Sequence, residues 1–227
     1  MVDVLAIGPH PDDVELGMGA TLVHLLGEDY GVGIVDLTDG EPTPFGTPEI
    51  RRQESAEAAK ILGVNFRATL DMKNRWLFDT VENRIKLAEV IREQRPEIVF
   101  IPYWDDSHPD HVIGSALCMS AIFTARLTKT DMIGEPHRVR RVFHFNSIHL
   151  KTIARPAFIV DVSAGMEKKI AAMRAYKSQF GMTETSKGVI ERICAMNRYL
   201  GSMIGAQYGE GFFVKEELGV RSMRGII

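Results

Sequence analysis

The chain has 227 residues, 45% apolar and 25% charged, enough for a substantial core and for one large domain spanning 1–227. A net charge of −3 gives no basic footprint, so nucleic acid is not the expected partner. No run approaches the roughly 18–20 apolar residues that a bilayer span needs, so no membrane partner is expected either.

The predicted elements alternate from the start. Val2–Ile7 reads as a strand, and a helix follows from near Val14, with Gly17 and Gly19 allowing close backbone approach. Val32–Leu37 is a second strand, closed by the Asp39-Gly40-Glu41 turn. After a Pro/Gly/Thr-rich loop over 42–48, Thr47 caps a helix that opens on Pro48 and stops at Gly63. Phe66–Leu70 is a short strand, and 71–79 is a loop that carries Trp76 and Phe78. Val81–Glu93 is a helix with Val81, Ile85, Ala88 and Ile91 on one face. Ile98–Tyr103 is a fourth strand, and a helix follows from Pro109 to Arg126 with Val112, Ala116, Met119 and Phe123 as its apolar face. Val139–Phe145 and Ala157–Val162 are strands, helices run from Met166 to about Ser178 and from Lys187 to Leu200, and Tyr208–Val214 is β-like. The alternation predicts an α/β fold: a Rossmann-like three-layer sandwich with a mostly parallel sheet. The last ~60 residues are expected to cover the site or build an interface. Cys118 and Cys194 read as isolated buried thiols, and the N-terminus shows no signal-peptide pattern, so a cytoplasmic location is expected.

Two clusters carry chemistry. Pro9-His10-Pro11-Asp12-Asp13-Val14-Glu15 follows the first strand, and Asp105-Asp106-Ser107-His108-Pro109-Asp110-His111 follows the fourth. Ligands in open α/β sheets bind at the carboxyl ends of strands. His10 and Asp13, three residues apart at a helix entrance, can aim at one point, and His111 can supply a third bond from the other loop. Two imidazoles and one carboxylate suit Zn²⁺ with one position left for water. Asp12 is then placed as general base, and His108, if protonated, as the group that stabilises an oxyanion or protonates a leaving amine. Asp110 would hold one imidazole in the required tautomer. The plainer alternatives are a solvated, acid-rich helix N-terminus for residues 12–15 and a capping or core histidine at 111. Arg51 and Arg52 open a helix, where positive charge is unfavourable, so one of them faces either an anionic ligand or a surface carboxylate.

These motifs resemble the LmbE-like (PIG-L) family of metal-dependent de-N-acetylases. Further resemblance lies in Asp36–Glu41, in Gly46-Thr47-Pro48-Glu49-x-Arg51, in Tyr176-Lys177-Ser178-Gln179-Phe180 and in Tyr208-Gly209-Glu210-Gly211-Phe212. The chain looks most like the branch that deacetylates N-acetylglucosaminyl-malate in bacillithiol biosynthesis. The resemblance implies Zn²⁺ (or another divalent metal such as Fe²⁺) on His10, Asp13 and His111. It implies Asp12 as the base that activates water and His108 as the group assisting the tetrahedral intermediate. It also implies Arg51 near the acetyl or carboxylate end of an amino-sugar substrate, and a homo-oligomer, possibly a hexamer. One departure is that some members carry tyrosine two residues before the first histidine of the second motif, where this chain has Asp106. Carbonyl polarisation would then fall to the metal and His108.

Other readings are a deacetylase of other N-acetylglucosaminides, chitin oligosaccharides or thiol-conjugate amides, a Rossmann-like nucleotide-binding module, and a structural zinc protein. The first turn has His-Pro-Asp-Asp where a phosphate-cradling glycine loop would stand, and its acids would repel a pyrophosphate. Two isolated cysteines do not supply a closed four-ligand zinc site.

Overall fold

The first apolar run becomes β1 (Val4–Gly8), buried along its whole length, because it is the middle of a parallel sheet covered on both faces. The structure is a computed structural model that describes residues 1–146, 148–149 and 154–219. Six further strands join β1: β2 (Val32–Thr38), β3 (Phe66–Met72), β4 (Ile98–Pro102), β5 (Arg141–Phe145), β6 (Phe158–Asp161) and β7 (Gly209–Phe213). Their order is β3-β2-β1-β4-β5-β7-β6. Pairing is parallel from β3 to β5, while β7 runs antiparallel to both β5 and β6.

This order creates the crevice. The chain steps outward from β1 through β2 to β3, then returns to lay β4 on the other side of β1. The strand order reverses between β1 and β4, the place where open α/β sheets bind ligands. The two His/Asp clusters follow those two strands, so the reversal brings them together.

Helices α3 (Val81–Gln94) and α4 (Pro109–Ala125) cover one face of the sheet, over a core that includes Leu5, Ile7, Val99, Ile101, Leu117 and Cys118. The other face carries α1 (Asp13–Gly27), α2 (Pro48–Leu62) and α5 (Met166–Ala175), over Val4, Ala6, Ile34, Phe100, Tyr176 and Phe212. The expected α/β layering is therefore present. A Cβ on Gly17 would lie 2.5 Å from the Phe145 ring, so α1 crosses β5 at a distance only glycine permits.

Three expectations need correction. The stripe Val112, Ala116, Met119 and Phe123 is not the inner face of α4, because Val112 and Phe123 are exposed. The buried stripe is His111, Gly114, Leu117, Cys118, Ala121 and Ala125. Helix α4 carries apolar residues on several faces, so its sequence does not single out the buried stripe that includes His111. Second, the helix from Met166 breaks at Tyr176 (φ −80°, ψ 66°), and a short α6 (Lys177–Phe180) follows. Third, α7 (Glu184–Ser202) begins before Lys187, because Thr183 and Ser186 form a reciprocal capping box.

Glu210, on β7, reaches across to α1. It accepts the N–H groups of Ala20 (3.3 Å) and Thr21 (2.7 Å) and the Thr21 hydroxyl (2.6 Å). Helix α1 is interrupted at Met18 (φ −151°), so these N–H groups open its second half, and Glu210 caps it. Lys169 of α5 pairs with the same carboxylate at 2.5 Å, both side chains being fully buried. Of the sequence-flagged cysteines, Cys118 is buried, Cys194 is half-buried, and both are free thiols.

Candidate active site

Asp12 sits at the end of the β1 loop with φ 107°, a left-handed conformation rare for a residue with a side chain. Such backbone costs on the order of 1–3 kcal/mol and collects at functional sites. Its side chain makes no cap bond to α1 and accepts instead from Arg51 Nη2 at 3.0 Å. Asp13, the first helical residue, places Oδ2 3.1 Å from His10 Nδ1 and 3.2 Å from His111 Nε2. His111 reaches this point from the first turn of α4, and His108 is the cap residue of that helix. The structure thus brings His10, Asp12, Asp13, His108, Asp110 and His111 to one place.

Two carboxylates hold the imidazoles from behind. Asp110 Oδ2 lies 3.3 Å from His10 Nε2, and Asp106 Oδ2 lies 2.9 Å from His111 Nδ1. Each ring thereby keeps its other nitrogen for Asp13 or for a cation between them. Sequence reasoning named Asp110 for this work and missed Asp106, whose position two residues before His108 pointed only to a lost tyrosine. Asp106 also accepts the His108 N–H at 2.9 Å, which folds its side chain back into the loop.

The donor set fits a divalent metal. One atom each from His10, Asp13 and His111 lies within 4.8 Å of the others. His111 Nε2 is buried beside Asp13 Oδ2 at 3.2 Å without a well-aligned hydrogen bond, a state that a cation between them would relieve. A second grouping, His10, His108 and Asp110, is equally close. Its atoms are already engaged: Asp110 accepts the Arg75 N–H (2.7 Å), and His108 Nδ1 accepts the Asp110 N–H (3.2 Å).

The electrostatics follow from burial among like and unlike charges. Burial drives the Asp12 carboxyl up to about 7, against the pull of Arg51, and the neighbouring Asp13 and Glu15 add to the rise. Burial alone would also raise Asp13, but His111 and His10 outweigh it and hold Asp13 well below the usual carboxylate range. Burial disfavours a charged His10, yet hydrogen bonds to Asp110 and Asp13 carry it up to about 9. His111 rises to about 10 against the same penalty, through Asp13 and Asp106. His108 goes the other way, to about 4, through burial and the charges of His111 and His10. It is therefore a neutral imidazole at pH 7. Since Nδ1 accepts the Asp110 N–H, its proton sits on Nε2.

His10, Asp12, Asp13 and His108 form the floor of a cleft of about 320 Å³. Pro42 and Thr43 form one rim, Asn74 and Arg75 another, and Ile148, His149, Gln179, Phe180, Val189 and Arg192 complete the wall. Gln179, Phe180, Val189 and Arg192 reach the cleft from the C-terminal part of the chain. Arg51 is 3% exposed and lines the cleft; Nη2 bonds Pro11 O (2.7 Å) and Asp12, while Nε and Nη1 are buried without partners. Arg52 is the exposed member of the pair and meets Glu49, whereas Arg51 is buried against Asp12. Behind the floor, Arg67 bonds Asp36 (2.8 and 2.9 Å) and Glu15 (2.6 Å), and the Tyr176 hydroxyl donates to Glu15 (2.8 Å). Arg75, His149 and Arg192 carry no motif signal; only the folding of distant loops puts them on the cleft.

Comparison with known proteins agrees with this geometry. The chain is 34% identical to a diacetylchitobiose deacetylase from Thermococcus kodakarensis, over 92% of this chain and 81% of that one. It is 28% identical to a probable N-acetyl-alpha-D-glucosaminyl L-malate deacetylase 2 from Bacillus anthracis, over 80% and 83% of the two chains. The crystal structure of a conserved protein from Thermus thermophilus superposes with a TM-score of 0.90 at 41% identity, covering 97% of this chain and 98% of that one. Members of the GlcNAc-PI de-N-acetylase family, PIG-L, are metal-dependent hydrolases of N-acetyl amides. That family matches residues 5–122, the stretch that holds both His/Asp clusters and the strand reversal between them, and this chain belongs to it.

Proposed function

We propose that this protein removes the acetyl group from N-acetyl-D-glucosaminyl-L-malate, with zinc as its metal. The observation that carries the hydrolytic reading is the placement of Asp12. Its carboxyl adjoins the His10–Asp13–His111 donor set, is pushed up to about 7 by burial, and faces the cleft. A general base works best with such a value near the operating pH.

His10, Asp13 and His111 would hold the cation. When bound, it supplies Lewis-acid polarisation of the amide carbonyl and a more acidic water. Asp12 takes the proton of the attacking water, and Arg51, 3.0 Å away, keeps the carboxylate oriented toward the cleft. His108 donates its Nε2–H to the oxygen that gains charge as water adds to the carbonyl carbon. A neutral donor fits this role, so His108 need not be protonated at the outset. Asp12 then returns its proton to the nitrogen, the carbon–nitrogen bond breaks, and acetate and a free amine leave.

The malate conjugate is favoured by charge. Arg51 offers two unpaired buried nitrogens, and Arg75 and Arg192 lie on the same cleft. A second reading, deacetylation of diacetylchitobiose, draws on the 34% identical relative, whose substrate is uncharged at that end. The test is metal analysis of purified protein together with amine release from N-acetylglucosaminyl-malate, diacetylchitobiose and N-acetylglucosamine. About one zinc per chain with preference for the conjugate supports the proposal. Preference for diacetylchitobiose moves the substrate, and no amine release from any of them defeats the hydrolytic reading.

A further inference from the structure

Arg75 stands at an unusual place. Its backbone is left-handed (φ 67°), one of four residues other than glycine with positive φ among the described residues. Arginine has no intrinsic preference for that region, so something must hold it there. The holder is Asp110, whose Oδ2 accepts the Arg75 N–H at 2.7 Å and whose Oδ1 accepts the Leu77 N–H at 3.4 Å. The same Asp110 Oδ2 faces His10 Nε2. One carboxylate therefore locks the rim loop and a proposed metal ligand into a common frame. Leu77, 2% exposed, pins the loop into the core on the far side of Arg75.

From that position the Arg75 side chain spans to the opposite rim, where Nη2 bonds Pro42 O at 2.6 Å. It lines the cleft, and no carboxylate among the described residues pairs with it. Arg192, on α7, is the other cation at the mouth, also without an acidic partner among the described residues. The acids of the cleft, Asp12 and Asp13, lie on the floor, engaged with Arg51, His10 and His111. The mouth thus presents guanidinium groups that have no carboxylate partner among the described residues.

We propose that Arg75 is the specificity-determining residue for the part of the substrate beyond the sugar, and that it selects an anionic group. This rests on the de-N-acetylase reading above. A guanidinium fork matches carboxylate and phosphate alike, so the shared chemistry is an oxyanion. The bond to Pro42 O leaves other donors of the fork available to it.

The test uses metal-loaded full-length protein and three probes: N-acetylglucosaminyl-malate, its dimethyl ester and N-acetylglucosamine 1-phosphate. kcat and KM are measured for wild type, Arg75→Gln and Arg75→Lys at low and high salt. The wild type should prefer at least one anion over the ester, and the preferred anion names the group. Arg75→Gln should lower that preference in kcat/KM at least tenfold, through KM. Arg75→Lys should keep part of it, with a stronger salt dependence. An equal loss on all three probes would make Arg75 only a loop support, and an unchanged preference would remove it from recognition; either result overturns the proposal. Wild type that releases no amine from any probe would instead defeat the de-N-acetylase reading on which the proposal rests.

Discussion

The Asp106 carboxylate lies 2.9 Å from Nδ1 of His111, on the opposite side of the ring from Asp13. With the imidazole proton on Nδ1 toward Asp106, Nε2 is the atom that would face a cation held between it and Asp13. Removing such a partner typically lowers metal affinity by about 10- to 100-fold. Asp106→Asn should therefore lose zinc to a competing chelator at a correspondingly lower concentration. Fully loaded enzyme should retain most of its kcat. Unchanged metal affinity would mean that Asp106 serves only the His108 N–H.

Asp12 should separate chemistry from metal binding. Asp12→Asn keeps a side chain that tolerates positive φ but cannot accept a proton from water. Metal content should stay at the wild-type level, while kcat falls about 100- to 10,000-fold. Thermal stability should fall rather than rise, because the buried Arg51 guanidinium loses its counter-charge. Near-full kcat in this variant would place the base elsewhere.

Acid stability should depend on His144. This buried residue of β5 bonds the Pro102 carbonyl through Nδ1 at 2.8 Å. Burial lowers it to about 4 from 6.5, with Lys215 adding to the effect and the Pro102 bond opposing it. Between those two values the unfolded chain binds a proton that the folded chain does not, so stability falls as pH falls. The residue should cost the fold about 2 kcal/mol between pH 7 and pH 5. Urea unfolding across that range should show a shallower acid arm for His144→Asn, and parallel arms would refute the assignment.

The buried Lys169–Glu210 pair should be costly to break and cheap to replace whole. Glu210→Gln leaves the Lys169 ammonium without its counter-charge in the core, and should destabilise by about 3–5 kcal/mol. Replacing both, as Lys169→Met with Glu210→Gln, should recover much of that loss, because no buried charge is left unpaired and the single amide oxygen still accepts the Thr21 N–H. A double variant no more stable than the single one would show that the charge itself is needed there.

Much of this architecture was legible along the chain. Alternating apolar runs and helical spacing placed β1–β4 and α1–α4, because central parallel strands must be apolar on both faces. The two His/Asp runs, each following a strand, marked the site before any contact was known. The C-terminal third was less legible. The β-like reading of Tyr208–Val214 holds as β7, but its insertion between β5 and β6 and the burial of Glu210 for a cap on α1 carry no local signal. The rotation of α4 was also hidden, since its apolar residues lie on several faces and do not mark the buried stripe.

By itself the sequence determined the fold class, the capped and broken helix ends, and the residue types gathered at two strand ends, since each depends on interactions within a few positions. Tertiary structure alone decided that the two ends face each other, because strand order reverses between β1 and β4. It also decided that Asp106 and Asp110 each back a different imidazole, and that Arg75 is held in left-handed backbone across the cleft from Pro42. Those contacts join residues that no local periodicity relates, and only packing the loops against one sheet edge brings them within hydrogen-bonding distance.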